Sequence, residues 1–399
     1  METAVGNTNT RQGTASWLEA ARSSAAKRLA TAPRPAFRYG LRASFDPSDI
    51  PGLPSSGPRG RLAVCGSVPP EKVRIMGLGE AAASSRWRTA LERHFRQGED
   101  EDRFDLWHLS RGTYGLLIVI PAGVELGRPI CLNDRSAGPV AVSDLVIVAE
   151  EGSRSSVMEC SGLVTGDQAT HRSSRVTIIA AAGAQVRYAA VQGLPSPGAE
   201  FCRRTAYVGQ DASVSWSECS LGARFVRSRA SSVLEGAGGT AFHRWAAIGN
   251  QSQLFDVGHE ASHLARDTFS SMLFKAALAD RSKAVVRGRV GVSDGAAGSS
   301  AFQRIDGLLL TDDAVVDMNP ELAIADDDVK CGHAATISDI DDEQLFYLES
   351  RGLHRREAVR MLMEGFLSPL IVEFSEGTAD ARLSSLIRKK AAEVAGLVT

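Results

Sequence analysis

The residues best suited to chemistry are Cys331 and His333, which lie two positions apart in the segment 328–333, Asp-Val-Lys-Cys-Gly-His. On a β-strand, residues i and i+2 point to the same face, so a thiol and an imidazole would stand side by side. Both groups bind iron and other borderline-soft metals. Two ligands do not complete a four-coordinate site, and a Cys-x-His spacing alone is a weak signal. Without further context, a buried cysteine and a hydrogen-bonded histidine explain the segment better.

Other candidate sites are weaker. His259 and His263 are four positions apart, as in helical zinc sites, but the surrounding sequence is typical of β structure. We therefore expect structural or surface roles for both. The acidic run 326–328 is expected to form a solvated turn and receives no ligand role. We expect a further set of residues to lie within the β core: Trp107, His108, Trp216 and Cys219. Three cysteines could relay sulfur, an idea we rank low: Cys160, Cys202 and Cys219.

Composition bounds the class of protein. The chain has 399 residues and a net charge of -2, which argues against a broad nucleic-acid surface. Abundant glycine (38 residues) and few aromatics (6%) favour a turn-rich β architecture. The six cysteines form no C-x-x-C pair, and neither a signal peptide nor an apolar run of about 20 residues is present. We expect a cytoplasmic protein that does not bind membranes.

The elements around the candidate residues differ along the chain. Residues 1–13 are polar and expected to be disordered, and residues 31–70 are expected to form an extended connector. Helical spacing of apolar residues predicts helices over 15–30 and 82–97. The acidic run 99–102 is expected to be a solvated boundary loop.

After Phe104, short β-rich runs recur between small-residue turns. Turn residues Gly123, Gly152 and Gly183 are 29 and 31 residues apart, and Asp211 follows after 28. Runs such as 115–120, 144–148 and 175–179 precede these turns, and a second alternating run follows several of them, for example at 123–126. This loose repeat predicts a stacked β solenoid. An antiparallel sandwich is the alternative, and we favour the solenoid over it by about two to one.

The C-terminal part is again helical in pattern. Helices are predicted over 343–350, 355–365 and 378–395, with Gly352 ending the first. The chain is therefore divided into an N-terminal helical region and connector (1–104), a β core (105–340) and a C-terminal helical region (341–399). Neither a G-x-x-x-x-G-K-[ST] loop nor a nucleophile elbow occurs, so we do not expect the chain to bind or hydrolyse nucleotides.

Several motifs resemble the SufB/SufD family of iron–sulfur cluster assembly scaffolds. The run 344–352, Gln-Leu-Phe-Tyr-Leu-Glu-Ser-Arg-Gly, is the most specific of them. The segments 300–310, 314–322 and 327–336 precede it in the order typical of the family. The resemblance covers about residues 105–370. The Cys-Gly-His-Ala-Ala-Thr run at 331–336 is more similar to SufD than to SufB, although Ala334 stands where many SufD chains have glycine.

The resemblance implies a mainly β fold: a right-handed parallel β-helix flanked by helical N- and C-terminal regions. It implies a non-catalytic scaffold in a SufBCD complex, with a SufB-like subunit and a SufC-like ATPase as partners. A transient Fe–S cluster would form at the SufB interface, where His333 matches the family's histidine and Cys331 is a weaker ligand candidate. Homodimer formation without SufB is left open. The expected partner contacts lie in the C-terminal helices: Phe346, Tyr347, Arg351, Gly352 and Phe366.

Two alternatives remain at this point. In the first alternative, the chain would be a purely structural subunit with no ligand of its own. In the second, which we rank last, it would be a carbohydrate-active β-helix enzyme. Enzymes of that class place paired carboxylates along a groove, and few paired acids occur in the β-rich runs.

Overall fold

The computed structural model describes residues 16–34, 46–47, 60–65, 68–69, 71–96, 101–111, 114–136, 139–163, 170–378 and 381–397. The predicted disorder of residues 1–13 falls outside these ranges. The helices are α1 (Ser16–Thr31), α2 (Leu78–Ala82), α3 (Arg88–Phe95), α4 (Arg103–Ser110), α5 (Asp342–Ser350), α6 (Arg355–Thr378) and α7 (Ala381–Ala395).

The strands follow in chain order. The first nine are β1 (Gly60–Cys65), β2 (Arg74–Gly77), β3 (Tyr114–Ile120), β4 (Ile130–Ser136), β5 (Val140–Ala149), β6 (Arg154–Ser161), β7 (His171–Ala180), β8 (Gln185–Gln192) and β9 (Ala199–Val208). The others are β10 (Ser213–Ser220), β11 (Phe225–Leu234), β12 (Thr240–Gly249), β13 (Leu254–His263), β14 (Phe269–Leu278), β15 (Lys283–Val292), β16 (Ser300–Leu309), β17 (Val315–Ile324) and β18 (Lys330–Asp339).

These strands form two sheets of a parallel β-solenoid with about seven turns, which confirms the predicted mainly β fold. Sheet A has the order β1-β4-β6-β8-β10-β12-β14-β16-β18, and sheet B has the order β17-β15-β13-β11-β9-β7-β5-β3-β2. Each turn contributes one strand to each sheet. Only the first pairs, β1 with β4 and β2 with β3, are antiparallel. The sandwich alternative is therefore wrong.

The turns between strands use left-handed backbone at the predicted positions. Gly123, Gly152 and Gly183 have φ of 69°, 63° and 66°, and Asp211 has φ of 53°. Glycine adopts this conformation without a steric penalty, and aspartate tolerates it better than most residues. The repeat seen in the sequence is therefore the repeat of tight turns along one corner of the solenoid.

Alternation along each strand separates a lumen from an outer face. The lumen is apolar in its first turns, where Val186, Val214 and Ala241 stack on successive strands of sheet A and are buried. Because neighbouring parallel strands are in register, each inward residue covers the one in the turn before it.

The N-terminal helices pack on the outer face of sheet B. His94 of α3 and His108 of α4 both contact Asp144 Oδ1 of β5, at 2.8 and 3.0 Å, and all three side chains are buried. Our placement of Trp107 and His108 in the β core is wrong, because a capping box at Asp102 starts helix α4 just before them.

Three further expectations need correction. The connector 31–70 contains strand β1, which pairs with β4, although most of that range lies outside the described residues. In the acidic run 99–102, Glu101 is 8% exposed and its Oε1 accepts a bond from Arg175 Nη2 at 2.9 Å, so it is not solvated. The run 123–126 contributes only an isolated bridge between Glu125 and Arg154.

The C-terminal helices lie where the sequence predicts helices, and Gly352 ends the first with φ of 92°. Helix α6 is longer than expected because it continues through Pro369 to Thr378. Its buried residues Val359, Met363 and Leu367 pack, with α7, on outward residues of sheet A such as Ala246 and Leu308. This packing joins the helices to the solenoid.

Candidate functional site

The last turn of the solenoid leaves two strand edges free. Strands β17 and β18 end sheets B and A, respectively, and each has ten residues. No further described strand pairs with either of them. An unpaired edge presents a row of backbone donors and acceptors that another chain can use.

Cys331 and His333 lie on β18 at this free end. In the parallel register, Cys331 pairs with Ala301 and His333 pairs with Gln303 of β16. Ala301 and Gln303 are buried in the lumen, so the two candidate ligands point to the lumen side of the last turn. His333 is exposed there because no further turn covers it. The two side chains share one face, as their spacing predicts.

The Cys331 thiol is only half-buried and packs against the apolar core of the last turns. Desolvation raises its pKa, and a backbone hydrogen bond with Ala301 only partly opposes this shift. Because the thiolate is the form that binds a metal, this shift disfavours Cys331 as a ligand.

The ligand pair is incomplete in this chain. Among the residues that the structure describes, no group of three or more His, Cys, Asp or Glu side chains is placed to hold a metal ion. Beside His333 stands Gln303, whose Nε2 donates to the Glu321 carbonyl at 2.9 Å and whose buried Oε1 has no hydrogen-bond partner. A further ligand would have to come from outside the described part of the chain.

The acidic run 326–328 forms the turn that leads into β18. The Asp326 carboxylate accepts backbone bonds from Gly295 at 3.2 Å and Asp328 at 3.0 Å, and Asp327 and Asp328 are exposed. The Asp326 carboxylate thus stabilises the turn backbone, and the prediction of a solvated turn is confirmed.

The lumen holds a polar row that sequence reasoning missed. Arg172 pairs with Glu159 and with Glu200, its Nη1 lying 2.9 Å from Glu200 Oε1. In the following turn, Arg204 Nη1 lies 2.9 Å from Glu218 Oε2. All five side chains are at most 5% exposed. Buried charges of this kind persist only when they are paired, as these are.

Two histidines continue this row toward the free end. His243 and His259 are fully buried, with their Nδ1 atoms 3.3 Å apart, and His259 Nε2 lies 3.7 Å from Glu218 Oε1. Burial lowers the pKa of both, to about 3 for His259. Both are therefore neutral near pH 7. The surface role considered for His259 and His263 is wrong, and their placement on a strand, β13, is confirmed.

Two of the three cysteines considered for sulfur relay, Cys202 and Cys219, are poorly suited to it. Cys202 lies in the lumen, and Cys219 lies on the outer face of sheet A beneath the C-terminal helices. Burial raises the pKa of both thiols to about 12, so they carry almost no thiolate at neutral pH. Trp216 and Cys219 are residues of a solenoid strand, β10, as predicted.

The predicted partner surface on the C-terminal helices separates into two faces. Phe346 and Tyr347 of α5 are 72% and 56% exposed, and Arg351 lies over the Tyr347 ring at 5.1 Å. Phe366 instead packs on the solenoid, with Lys275 Nζ 4.4 Å from its ring centroid. The exposed aromatic pair is thus free to contact another protein, whereas Phe366 holds the helix in place.

Gln303 and the lumenal charges are the site features that the sequence did not reveal. Gln303 lies within the family-like segment 300–310, two residues from Ile305, at an inward position. Polar residues at lumen-facing strand positions could have revealed these features, but those positions can be identified only once the strand register is known.

The fold and the site together define a parallel β-solenoid protein that carries a cysteine and a histidine on one face of the strand at the free edge of its last turn. The chain belongs to the SufBD family: residues 131–366 match the family model described as "SUF system FeS cluster assembly, SufBD core domain". The predicted family is thereby confirmed.

Three curated relatives show the extent of the similarity. A SufBD family protein of Staphylococcus saprophyticus is 27% identical over 278 residues, which cover 68% of this chain and 59% of the relative. The iron–sulfur cluster assembly protein SufB of Bacillus subtilis is 28% identical over 263 residues, 65% of this chain and 56% of that protein. A SufBD family protein of Mycobacterium leprae is 30% identical over 266 residues, 65% of this chain and 30% of the relative. The chain thus covers little more than half of the length of the Staphylococcus and Bacillus relatives, at 59% and 56%.

Among the described residues, no helix combines the length and apolar character needed to cross a bilayer.

Proposed function

We propose that this chain is a SufD-like, non-catalytic scaffold subunit of a cytoplasmic iron–sulfur cluster assembly complex. The observation that carries the proposal is the position of His333, exposed on the lumen side of a free edge strand in the last solenoid turn. A ligand at that position can be shared with a second chain that continues the solenoid. The nascent cluster is the cargo of this site.

A SufB-like chain is the proposed partner at the free end. The edges of β17 and β18 offer backbone hydrogen bonds to an added strand, and such edges are otherwise sites of uncontrolled association. Ile324 and Ile337 are 44% and 53% exposed at the same end, and a partner would remove them from water. A second copy of this chain offers the same edges, so a homodimer is the proposed state when no SufB-like chain is present.

In this arrangement, His333 is the principal ligand that this chain supplies, with Cys331 as the lesser one. Imidazole and thiolate both suit an iron–sulfur cluster, and the partner would complete the coordination. The SufD-like assignment rests on the Cys-Gly-His-Ala-Ala-Thr run at 331–336, since SufB-like chains carry His-Glu-Ala-Thr instead.

A SufC-like ATPase is the proposed partner of the C-terminal helices. Phe346 and Tyr347 form an exposed aromatic pair at the start of the helical region, with Arg351 and Gly352 at the end of the same helix. Aromatic and arginine side chains dominate binding energy at protein interfaces. Phe366 contributes indirectly, by holding α6 on the solenoid.

The ligand assignment is tested by His333→Ala in the complex reconstituted with the host's SufB-like and SufC-like chains. The complex is supplied anaerobically with ferrous iron and sulfide, and cluster yield is followed by visible absorption and Mössbauer spectroscopy. We expect cluster yield to fall several-fold while copurification of the three chains is unchanged. His171→Ala is the matched control, because that half-buried ring bonds the adjacent Thr170 hydroxyl, remote from the free end.

Full cluster yield from His333→Ala would refute the ligand assignment. It would favour the second candidate function, a structural subunit without its own ligand. That candidate is favoured by the absence, among the described residues, of any group of three or more potential ligands. A carbohydrate-active enzyme ranks last, because the lumenal acids are buried against arginines; depolymerisation of polygalacturonate by the purified chain would reverse this ranking.

A further inference from the structure

Two cysteines face each other at the opposite end of the solenoid. Strand β1 runs antiparallel to β4, and Cys65 lies directly opposite Cys131 in their register. Residues directly opposite in an antiparallel pair have Cα atoms about 4.5–5.5 Å apart. Disulfides span Cα separations of about 4.4–6.8 Å, so the Cα separation expected for a directly opposite pair is within disulfide range.

Both thiols lie on the outer face of sheet A. Leu62 and Val64 of β1 and Ile130 and Leu132 of β4 pack in the lumen. Because side chains alternate along a strand, the Cys65–Cys131 pair points outward, and both residues are half-buried, within reach of small reagents.

The contacts of the two sulfurs show how a bond would form. Cys65 Sγ donates to the Ala63 carbonyl at 3.8 Å and accepts a bond from Asn133 Nδ2 at 2.8 Å, while Cys131 Sγ donates to the Pro129 carbonyl at 3.9 Å. Ala63 and Pro129 lie on opposite sides of the cysteine pair along the strands. The two thiols therefore bond to carbonyls on opposite sides of the pair, and a disulfide would require rotation about χ1 to another staggered position.

No other described thiol is placed to compete. Cys160 is opposite Asn133, one strand and two residues away from Cys131. Strand spacing and rise place those two Cα atoms about 8 Å apart, beyond disulfide range. Cys202 and Cys219 are buried, and Cys331 lies in the last turn.

We propose that Cys65 and Cys131 form a reversible dithiol–disulfide site that reacts with low-molecular-weight disulfides. One cysteine thiolate attacks a sulfur of the reagent disulfide, which gives a mixed disulfide and releases one thiolate. The second cysteine thiolate attacks the protein sulfur of that mixed disulfide and releases the other thiolate. The two protons of the cysteines pass to the released thiolates, so the protein dithiol is oxidised and the reagent is reduced to two thiols.

The bond would join two distant parts of the chain. It closes a loop from residue 65 to residue 131, which contains helices α2, α3 and α4 and strands β2 and β3. A cross-link that closes a long loop restricts the unfolded chain and so stabilises the region that it encloses. Oxidation would thereby add a covalent tie to the packing that already holds helices α2, α3 and α4 on the solenoid, and reduction would remove that tie. This role is independent of the cluster site at the other end.

The test is treatment of the full chain with oxidised glutathione, followed by a count of free thiols in denaturant and peptide mapping by mass spectrometry. The sequence has six cysteines, so we expect six free thiols to fall to four, with one linked peptide pair that contains Cys65 and Cys131. Dithiothreitol should restore six. Cys65→Ser and Cys131→Ser should each abolish the linked pair, whereas Cys160→Ser should leave it unchanged.

Mapping of the unmodified chain decides the outcome even if a variant folds poorly. Retention of six thiols, accumulation of stable glutathione adducts only, or a linked pair between other cysteines would each overturn the proposal.

Discussion

Asp256 is the buried carboxylate on which three arginines converge, and its removal is our most quantitative prediction. It is fully buried on the outer face of sheet B. Arg287 Nη1 lies 2.5 Å from its Oδ1 and Arg229 Nη2 lies 2.9 Å from its Oδ2, and Arg227 also contacts Oδ2. Asp256→Asn keeps the shape but removes the only negative charge that these three contacts share.

The size of the effect follows from what the substitution leaves unpaired. Breaking a buried ion pair typically costs about 3–5 kcal/mol. The Arg229 and Arg287 side chains are 25% and 29% exposed, and Arg227 keeps its contact with Asp102, so water and a second acid offset part of the loss. We therefore expect the free energy of unfolding to fall by about 3 kcal/mol, the lower end of that range.

The control is the exposed pair formed by Glu260 and Arg289 on the same face. Their side chains are 37% and 48% exposed, so Glu260→Gln should cost only about 0–1 kcal/mol. Both variants are compared with the unmodified chain by urea unfolding, monitored by circular dichroism at neutral pH. Equal losses in the two variants would refute the argument that burial makes the Asp256 cluster important.

The Asp256 cluster also predicts a dependence on pH. Burial alone would raise the pKa of Asp256, but Arg229, Arg227 and Arg287 outweigh it and hold the pKa below its ordinary value of 3.8. The stabilisation is therefore present above about pH 4 and is lost as the pH falls through the folded-state pKa. The difference in stability between Asp256→Asn and the unmodified chain should shrink in that acidic range.

Three further predictions concern the lumen, the turns and the helical surface. Burial lowers the pKa of His259 to about 3 in the folded chain from its ordinary value of 6.5, so the unfolded chain binds more protons below pH 6.5. Stability should fall by about 2 kcal/mol through this residue between pH 6.5 and 5, and pH-dependent urea unfolding of His259→Gln should show a shallower slope. At Gly236, a Cβ atom would lie 2.0 Å from the Gln210 backbone nitrogen, whereas a Cβ at Gly291 meets nothing within 4 Å. Gly236→Ala should lower the thermal midpoint, at a cost of about 1–3 kcal/mol, and Gly291→Ala should change it little; equal midpoints would contradict the clash. Phe346→Ser should reduce copurification of the SufC-like ATPase without loss of stability, whereas Phe366→Ala should lower stability, and unchanged ATPase binding in Phe346→Ser would remove this surface from the proposed interface.

Much of the fold could be predicted because the solenoid repeats one type of tight turn. Gly123, Gly152, Gly183 and Asp211 recur at turns that need left-handed backbone, and a residue type that tolerates that conformation is visible in the sequence. The antiparallel pairing of β1 with β4 was not predictable, because it joins residues about 70 positions apart and β1 carries no repeat. Helix α4 was missed for a different reason: its eight residues are too few to show a helical period against the β-rich sequence that follows.

The candidate site was predicted only in part. The spacing of Cys331 and His333 gave their common face correctly, because period two is a property of any strand. Their position near the end of the β core also followed from the predicted bounds, whereas the neighbouring Gln303 depends on the register between strands, which local sequence does not encode. The sequence likewise could not show that Phe346 is exposed and Phe366 is packed, because this depends on how α6 docks on the solenoid.

The central claim is that His333 of this chain binds the nascent cluster, and nitrogen hyperfine spectroscopy tests it most directly. This chain alone is labelled with ¹⁵N-histidine, assembled with unlabelled SufB-like and SufC-like chains, loaded anaerobically and reduced to a paramagnetic cluster. Pulsed electron paramagnetic resonance should then show ¹⁵N coupling that disappears in His333→Ala and persists in His171→Ala. A cluster that shows no ¹⁵N coupling, or a coupling that survives in His333→Ala, would contradict the account.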